Sequence, residues 1–136
     1  MILVDTSAWA EFDRASGSAV DHRLSGLIGD RAGIAVTEPV VMEVLRRARD
    51  AEARGRLRRL LLSFGFVALD PVADFDGAAL LHHRCLAAGV TPRRAVDCLT
   101  VSVAWRAGVS LLAHDPVLCR MATVAGVPLD EASPTA

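Results

Sequence analysis

The chain has 136 residues, a formal net charge of −1 and an apolar fraction of 52% with only 4% aromatics, which suits one domain burying a core of Ala, Leu and Val without disulfides or a structural metal. No apolar run approaches the ~20 residues of a membrane span, and Asp5 and Glu11 stand where a signal peptide would carry a basic start and an apolar core, so the expected address is the cytoplasm. Cys85, Cys98 and Cys119 lack Cys-x-x-Cys spacing, which argues against a disulfide framework or zinc knuckle, and all 15 basic residues are arginine, which excludes any mechanism that needs a lysine.

Short apolar runs alternate with longer segments of helical period, predicting a βαβ architecture around a mainly parallel sheet of four to five strands. The first strand covers residues 2–5, and a helix opens behind it with Thr6 or Ser7 as N-cap. A second helix covers residues 19–28, with Gly29 and Gly33 bracketing the turn to a second strand at 34–36. Thr37, Glu38 and Pro39 then read as a helix start, and this helix carries Glu43 among Val40, Val41, Val44 and Leu45. Past an arginine-rich stretch around Asp50, a further helix covers residues 53–63 on the spacing of Leu57, Leu60 and Leu61. Residues 66–69 form a third strand, stopped by Asp70 and Pro71. A helix over 73–88 ends at Gly89, a loop covers 90–94, and the helix over 95–107 turns Val96, Leu99, Val103 and Ala104 to the core. A fourth strand at 110–113, a last helix at 117–125 and a fifth strand at 127–129 complete one domain over residues 1–130, followed by a flexible tail over 131–136.

Four acids in this series follow or interrupt apolar runs: Asp5, Glu43, Asp97 and Asp115. A buried ionised carboxylate costs several kcal/mol, roughly, unless it is paired or metal-bound, so the four are better explained together than singly. Asp5 and Asp115 fall at the carboxyl ends of predicted parallel strands, where open α/β sheets bind ligands. Glu43 and Asp97 lie near the starts of helices at the same edge. Clustered carboxylates are the ligand type of Mg²⁺ and Mn²⁺, ions that activate water and stabilise charge on a scissile phosphate. Taken singly, each acid has a plainer reading: Asp5 as a helix cap, Glu43 as a solvated helix residue, Asp97 as a dipole partner at a helix start, and Asp115 as a turn residue before Pro116.

The residues Val4-Asp5-Thr6-Ser7-Ala8-Trp9, Glu43 in its apolar run, the segment from Arg93 to Ala104 and His114-Asp115 together resemble a PIN-domain ribonuclease of the VapC toxin type. The resemblance implies an α/β/α sandwich whose acidic quartet binds Mg²⁺ or Mn²⁺ and hydrolyses RNA. It implies Asp5 and Asp97 as principal metal ligands, Glu43 as ligand or orienter of the attacking water, and Asp115 as a ligand directly or through water. Thr6 matches a supporting hydroxyl position and Arg93 a basic position suited to an RNA phosphate. A cognate antitoxin and a homodimer are implied as partners. Two departures stand out: Val117 and Leu118 occupy positions where many relatives carry Asp and Phe, and Ala113 replaces a hydroxyl residue.

Other α/β chemistries fit less well. A phosphoacceptor receiver would need a lysine, a haloacid-dehalogenase-like phosphatase an Asp at position 7 where Ser7 stands, and a P-loop its Gly-Lys-Ser/Thr. The seven arginines from Arg46 to Arg59 could form an RNA-binding face, a solvated helix surface or a contact with a protein partner. His82 and His83 lack metalloprotease spacing and read as structural. A PIN-like binding module without catalysis remains the alternative function.

Overall fold

The computed structural model describes residues 1–134. Its sheet has four parallel strands, β1 (Ile2–Val4), β2 (Ile34–Val36), β3 (Gly65–Phe66) and β4 (Ser110–Leu112), in the order β3-β2-β1-β4. Seven helices connect them: α1 (Thr6–Asp13), α2 (Ala19–Asp30), α3 (Glu38–Arg46), α4 (Ala51–Leu61), α5 (Ala73–Ala87), α6 (Ala95–Ala107) and α7 (Pro116–Ala125). Side chains alternate across each strand, so Leu3, Ala35 and Leu111 face one core, shared with α5, α6 and α7. Val4, Ile34, Val36 and Leu112 face the other, shared with α1 to α4. The result is the expected α/β/α sandwich.

Strand order reverses at β1. From β1 the chain adds β2 and β3 on one side, then returns to lay β4 on the other, with Leu3 opposite Ala35 on β2 and Leu111 on β4. The crevice outside the carboxyl ends of β1 and β4 is therefore the switch point, where α/β sheets take ligands. Helices α3 and α6 belong to opposite layers yet meet beside this crevice.

Several boundaries differ from expectation. The third strand is two residues long because, after Val67 N–H bonds Val36 O at 2.8 Å, the chain turns away and Leu69 N–H bonds the Glu38 side chain instead. The fifth strand is reduced to one parallel bridge between Leu111 and Leu129, since Pro128 has no N–H to continue a ladder. Helix α1 is capped not by Thr6 or Ser7 but by Asp5, whose side chain accepts from Ser7 N–H. Gly29 lies inside α2 rather than at a turn. The tail expected from 131 is held to the body as far as Ser133, which is buried and accepts the Ala113 N–H at 3.1 Å; Thr135 and Ala136 lie outside the described residues. No described helix is long and apolar enough to cross a membrane.

Candidate active site

At the switch point, β1 and β4 each hand the chain to a helix through an acid. Asp5 caps α1 and is 2% exposed. Its Oδ2 accepts from both Ser7 N–H (2.9 Å) and Ser7 Oγ (2.6 Å). Asp115 caps α7, its Oδ1 accepting from Val117 N–H at 2.9 Å, with Pro116 preset for the first turn. Ser7 joins the two strand ends, since its Oγ also accepts from the His114 and Asp115 amides at 2.9 and 3.3 Å. A carboxylate has two oxygens, so an acid can cap a helix with one and offer the other to the crevice.

Asp97 enters from the first turn of α6 and Glu43 from α3, both buried. Between them lies Arg94, the N-cap residue of α6. Its Nη2 and Nε reach the two Asp97 oxygens at 2.9 and 3.3 Å, and its Nη1 reaches Glu43 Oε2 at 3.4 Å. Burial pushes the Asp5 carboxyl above its ordinary range against the opposing Ser7 hydrogen bonds. Burial raises Asp97 as well, and the charges of Asp5 and Asp115 add to that while Arg94 opposes it. Glu43 is held below its usual range, chiefly by the Arg46 hydrogen bond at 2.9 Å, with Arg94 and Arg47 contributing. The four acids thus share one electrostatic neighbourhood.

With the geometry in place, comparison with known proteins is decisive about kinship. The PIN domain family model matches residues 2–124. The chain is a PIN-domain protein. It is 37% identical over 116 residues to ribonuclease VapC11 of Mycobacterium tuberculosis, covering 85% of this chain and 87% of that one. Among solved structures, FitAcB of Neisseria gonorrhoeae superposes with a TM-score of 0.73 at 17% identity, over 97% of this chain and 98% of that one. A toxin-antitoxin complex from Klebsiella pneumoniae superposes at 0.64 and 16% identity, over 85% and 87%. At such identities these two likenesses speak for the fold.

The donors of the four acids are all hard oxygens, as Mg²⁺ and Mn²⁺ prefer, and Asp5 is buried with no ion-pair partner among the described residues. The donor chemistry therefore fits. Among the described residues no three acidic, His or Cys side chains gather closely enough to share an ion, and Arg94 stands between Glu43 and Asp97 instead.

Beside two of the expected positions, a neighbouring residue touches the acids. Arg93 is exposed and makes no ion pair within the described residues, whereas Arg94 enters the site. The signal was available in the sequence as the three-residue spacing from Arg94 to Asp97, which puts both on one helix face. Thr6 is buried, but it lines a neighbouring groove, and the hydroxyl bonded to Asp5 is that of Ser7. A further buried acid went unread: Glu11 pairs with Arg14, accepts from Ser16 Oγ at 2.9 Å and meets His114 Nε2 at 3.3 Å. Val117 and Leu118, the departures after Asp115, pack into the core.

Beside the site lies an open groove of about 560 Å³ between α1, α3 and α4. Trp9, Phe12, Val44, Leu57 and Leu60 form its apolar part, and Arg14, Arg47, Arg49 and Arg56 its charged part. Within the arginine cluster of the sequence, Arg46 turns to Glu43, Arg49 and Arg56 line the groove, and Arg47 does both.

Proposed function

We propose that this chain is a cytoplasmic, metal-dependent endoribonuclease toxin that hydrolyses RNA phosphodiester bonds and is held in check by a cognate antitoxin. What supports the reading is a PIN domain 37% identical to a named ribonuclease, in which Asp5 and Asp115 stand at the ends of the neighbouring strands at the switch point and Arg94 bridges Asp97 and Glu43 on the helices beside it. Asp5 and Asp97 would be the principal ligands of Mg²⁺ or Mn²⁺, Asp115 a ligand directly or through water, and Glu43 a ligand or the orienter of the attacking water. Bound there, the ion would supply an activated water and stabilise charge on the scissile phosphate. Ser7 fixes the Asp5 carboxylate in place, and the exposed Arg93 is suited to a phosphate of the RNA.

The groove supports a protein partner. Its apolar floor and arginine rim suit an amphipathic segment carrying acidic side chains, and the Klebsiella pneumoniae neighbour is a toxin-antitoxin complex. The exposed Val72, Phe75 and Trp105 on and around α5 and α6 support a second copy of the chain as a further partner.

A catalytically silent binding module is the second reading, favoured by the way Arg94 already neutralises Glu43 and Asp97. Asp5→Asn divides the two. In the nuclease it abolishes metal-dependent RNA cleavage and the growth arrest caused by expression, an arrest that the neighbouring gene's product should relieve in the wild type. If the wild type neither cleaves nor arrests growth while still capturing that partner, the silent module is the correct description.

A further inference from the structure

We propose that Arg94 is a built-in counter-cation of the acidic site, one that a divalent ion must displace in order to bind. The inference rests on the metal-dependent reading above and deepens it. The guanidinium spans the site with three contacts: Nη2 to Asp97 Oδ1 at 2.9 Å, Nε to Asp97 Oδ2 at 3.3 Å and Nη1 to Glu43 Oε2 at 3.4 Å. Both oxygens of Asp97 are thereby engaged by a planar fork, the geometry in which arginine binds carboxylates most strongly. An ion ligated by Asp97 draws on those same two oxygens.

The surroundings make the exchange possible. Arg94 caps α6 from the end of a loop, and its side chain is 36% exposed, so it can move to solvent without disturbing either core. Glu43 Oε2 keeps Arg46 at 2.9 Å and Arg47 at 3.9 Å, so it stays paired when Arg94 leaves. Asp97 has no second cation within the described ion pairs, and Asp5 pairs with none. Departure of Arg94 therefore leaves two buried carboxylates that an incoming divalent ion would compensate. Asp97 has one cation at a time: the arginine in the metal-free chain, the ion in the loaded one. A freed Arg94 at the rim would then be positioned for a phosphate oxygen rather than for Asp97.

The test is Mn²⁺ binding by calorimetry, on wild type and on Arg94→Gln, with Arg84→Gln on the exposed side of α5 as a control of equal charge change. The expected result is Mn²⁺ bound about tenfold more tightly by Arg94→Gln than by wild type, with the control unchanged. Binding by wild type that the variant only equals or weakens overturns the inference alone, because Arg94 would then help to build the site. Mn²⁺ binding by neither protein overturns it together with the metal reading. Should the variant fold poorly, the wild type answers by nitrogen-detected NMR of the arginine Nε–H groups. The Arg94 signal should be protected in the metal-free protein and lose that protection with Mg²⁺; a signal unmoved by saturating Mg²⁺ overturns the inference.

Discussion

Asp5 and Asp115 each cap the helix behind a neighbouring strand, α1 and α7, with one carboxylate oxygen at the switch point of the sheet. Ser7 is the residue that couples them, and its loss should be felt both at the metal and in the fold. Ser7→Ala is expected to weaken Mn²⁺ affinity or cleavage by about 10- to 100-fold, the scale of losing a group that orients a ligand, and to lower stability by about 1–3 kcal/mol as its hydrogen-bond partners are left unpaired; an unchanged affinity would deny Ser7 its role at the metal. The cysteines make the opposite prediction. Burial pushes the Cys98 and Cys119 thiols up to about 11 and raises Cys85 too, so negligible thiolate exists at neutral pH. Native protein should react slowly with Ellman's reagent and unfolded protein fast; rapid native reaction would mean the cores open. At this scale the acids were legible because a carboxylate in an apolar run needs a reason. The contacts of Ser7 with Asp5 and of Arg94 with Asp97 were not, because adjacent residues share their chemistry and only the turn of a helix decides which one faces the acid.

Helices α5 and α6 are locked by a polar contact inside the packed layer. Asp74 is fully buried, takes Arg106 Nε and Nη2 at 2.9–3.1 Å and accepts from Ser102 Oγ at 3.2 Å. Gly77 makes the approach possible, for a Cβ there would stand 2.6 Å from Ser102 Oγ. Gly77→Ala should cost about 1–3 kcal/mol in denaturant unfolding; a neutral result would mean that Ser102 turns aside freely. Burial alone would raise the Asp74 carboxyl, but Arg106, the Asp70 amide and Ser102 outweigh it and hold the group below its ordinary range. Because its folded pKa lies below the unfolded one, its stabilisation is complete above the unfolded value of about 4 and is lost as pH falls through the folded value. The stability gap between wild type and Asp74→Asn should therefore be full at pH 7, of the order of 3 kcal/mol, and close in acid. A gap independent of pH would show that the carboxylate charge is not what matters. Helix periods and glycine stops made most of these elements readable, as with α6 ending at Gly108. The short β3 and the vanished fifth strand were less so, since apolar composition marks burial while pairing depends on which backbone groups have a partner.

Over the whole molecule, two unlike helical layers meet at one edge of a four-stranded sheet, and that edge gathers acids separated by up to 110 positions along the chain. The sandwich and the switch point followed from alternation of short apolar runs with helical segments. The arginine-rimmed groove did not, because it is made by α1, α3 and α4 coming together rather than by any local pattern. Exposed Val72, Phe75 and Trp105 lead to the expectation of a homodimer, which sedimentation should report and Phe75→Glu should weaken; a wild type monomeric at high concentration would contradict it. The central claim, a metal-dependent ribonuclease built on the acidic quartet, is tested most directly by incubating total cellular RNA with purified, partner-free protein in Mg²⁺ or Mn²⁺ against EDTA, with Asp97→Asn alongside. Discrete cuts that require the ion and disappear in the variant are the predicted result, whereas intact RNA from folded, metal-loaded wild type, or equal cleavage by Asp97→Asn, would contradict it.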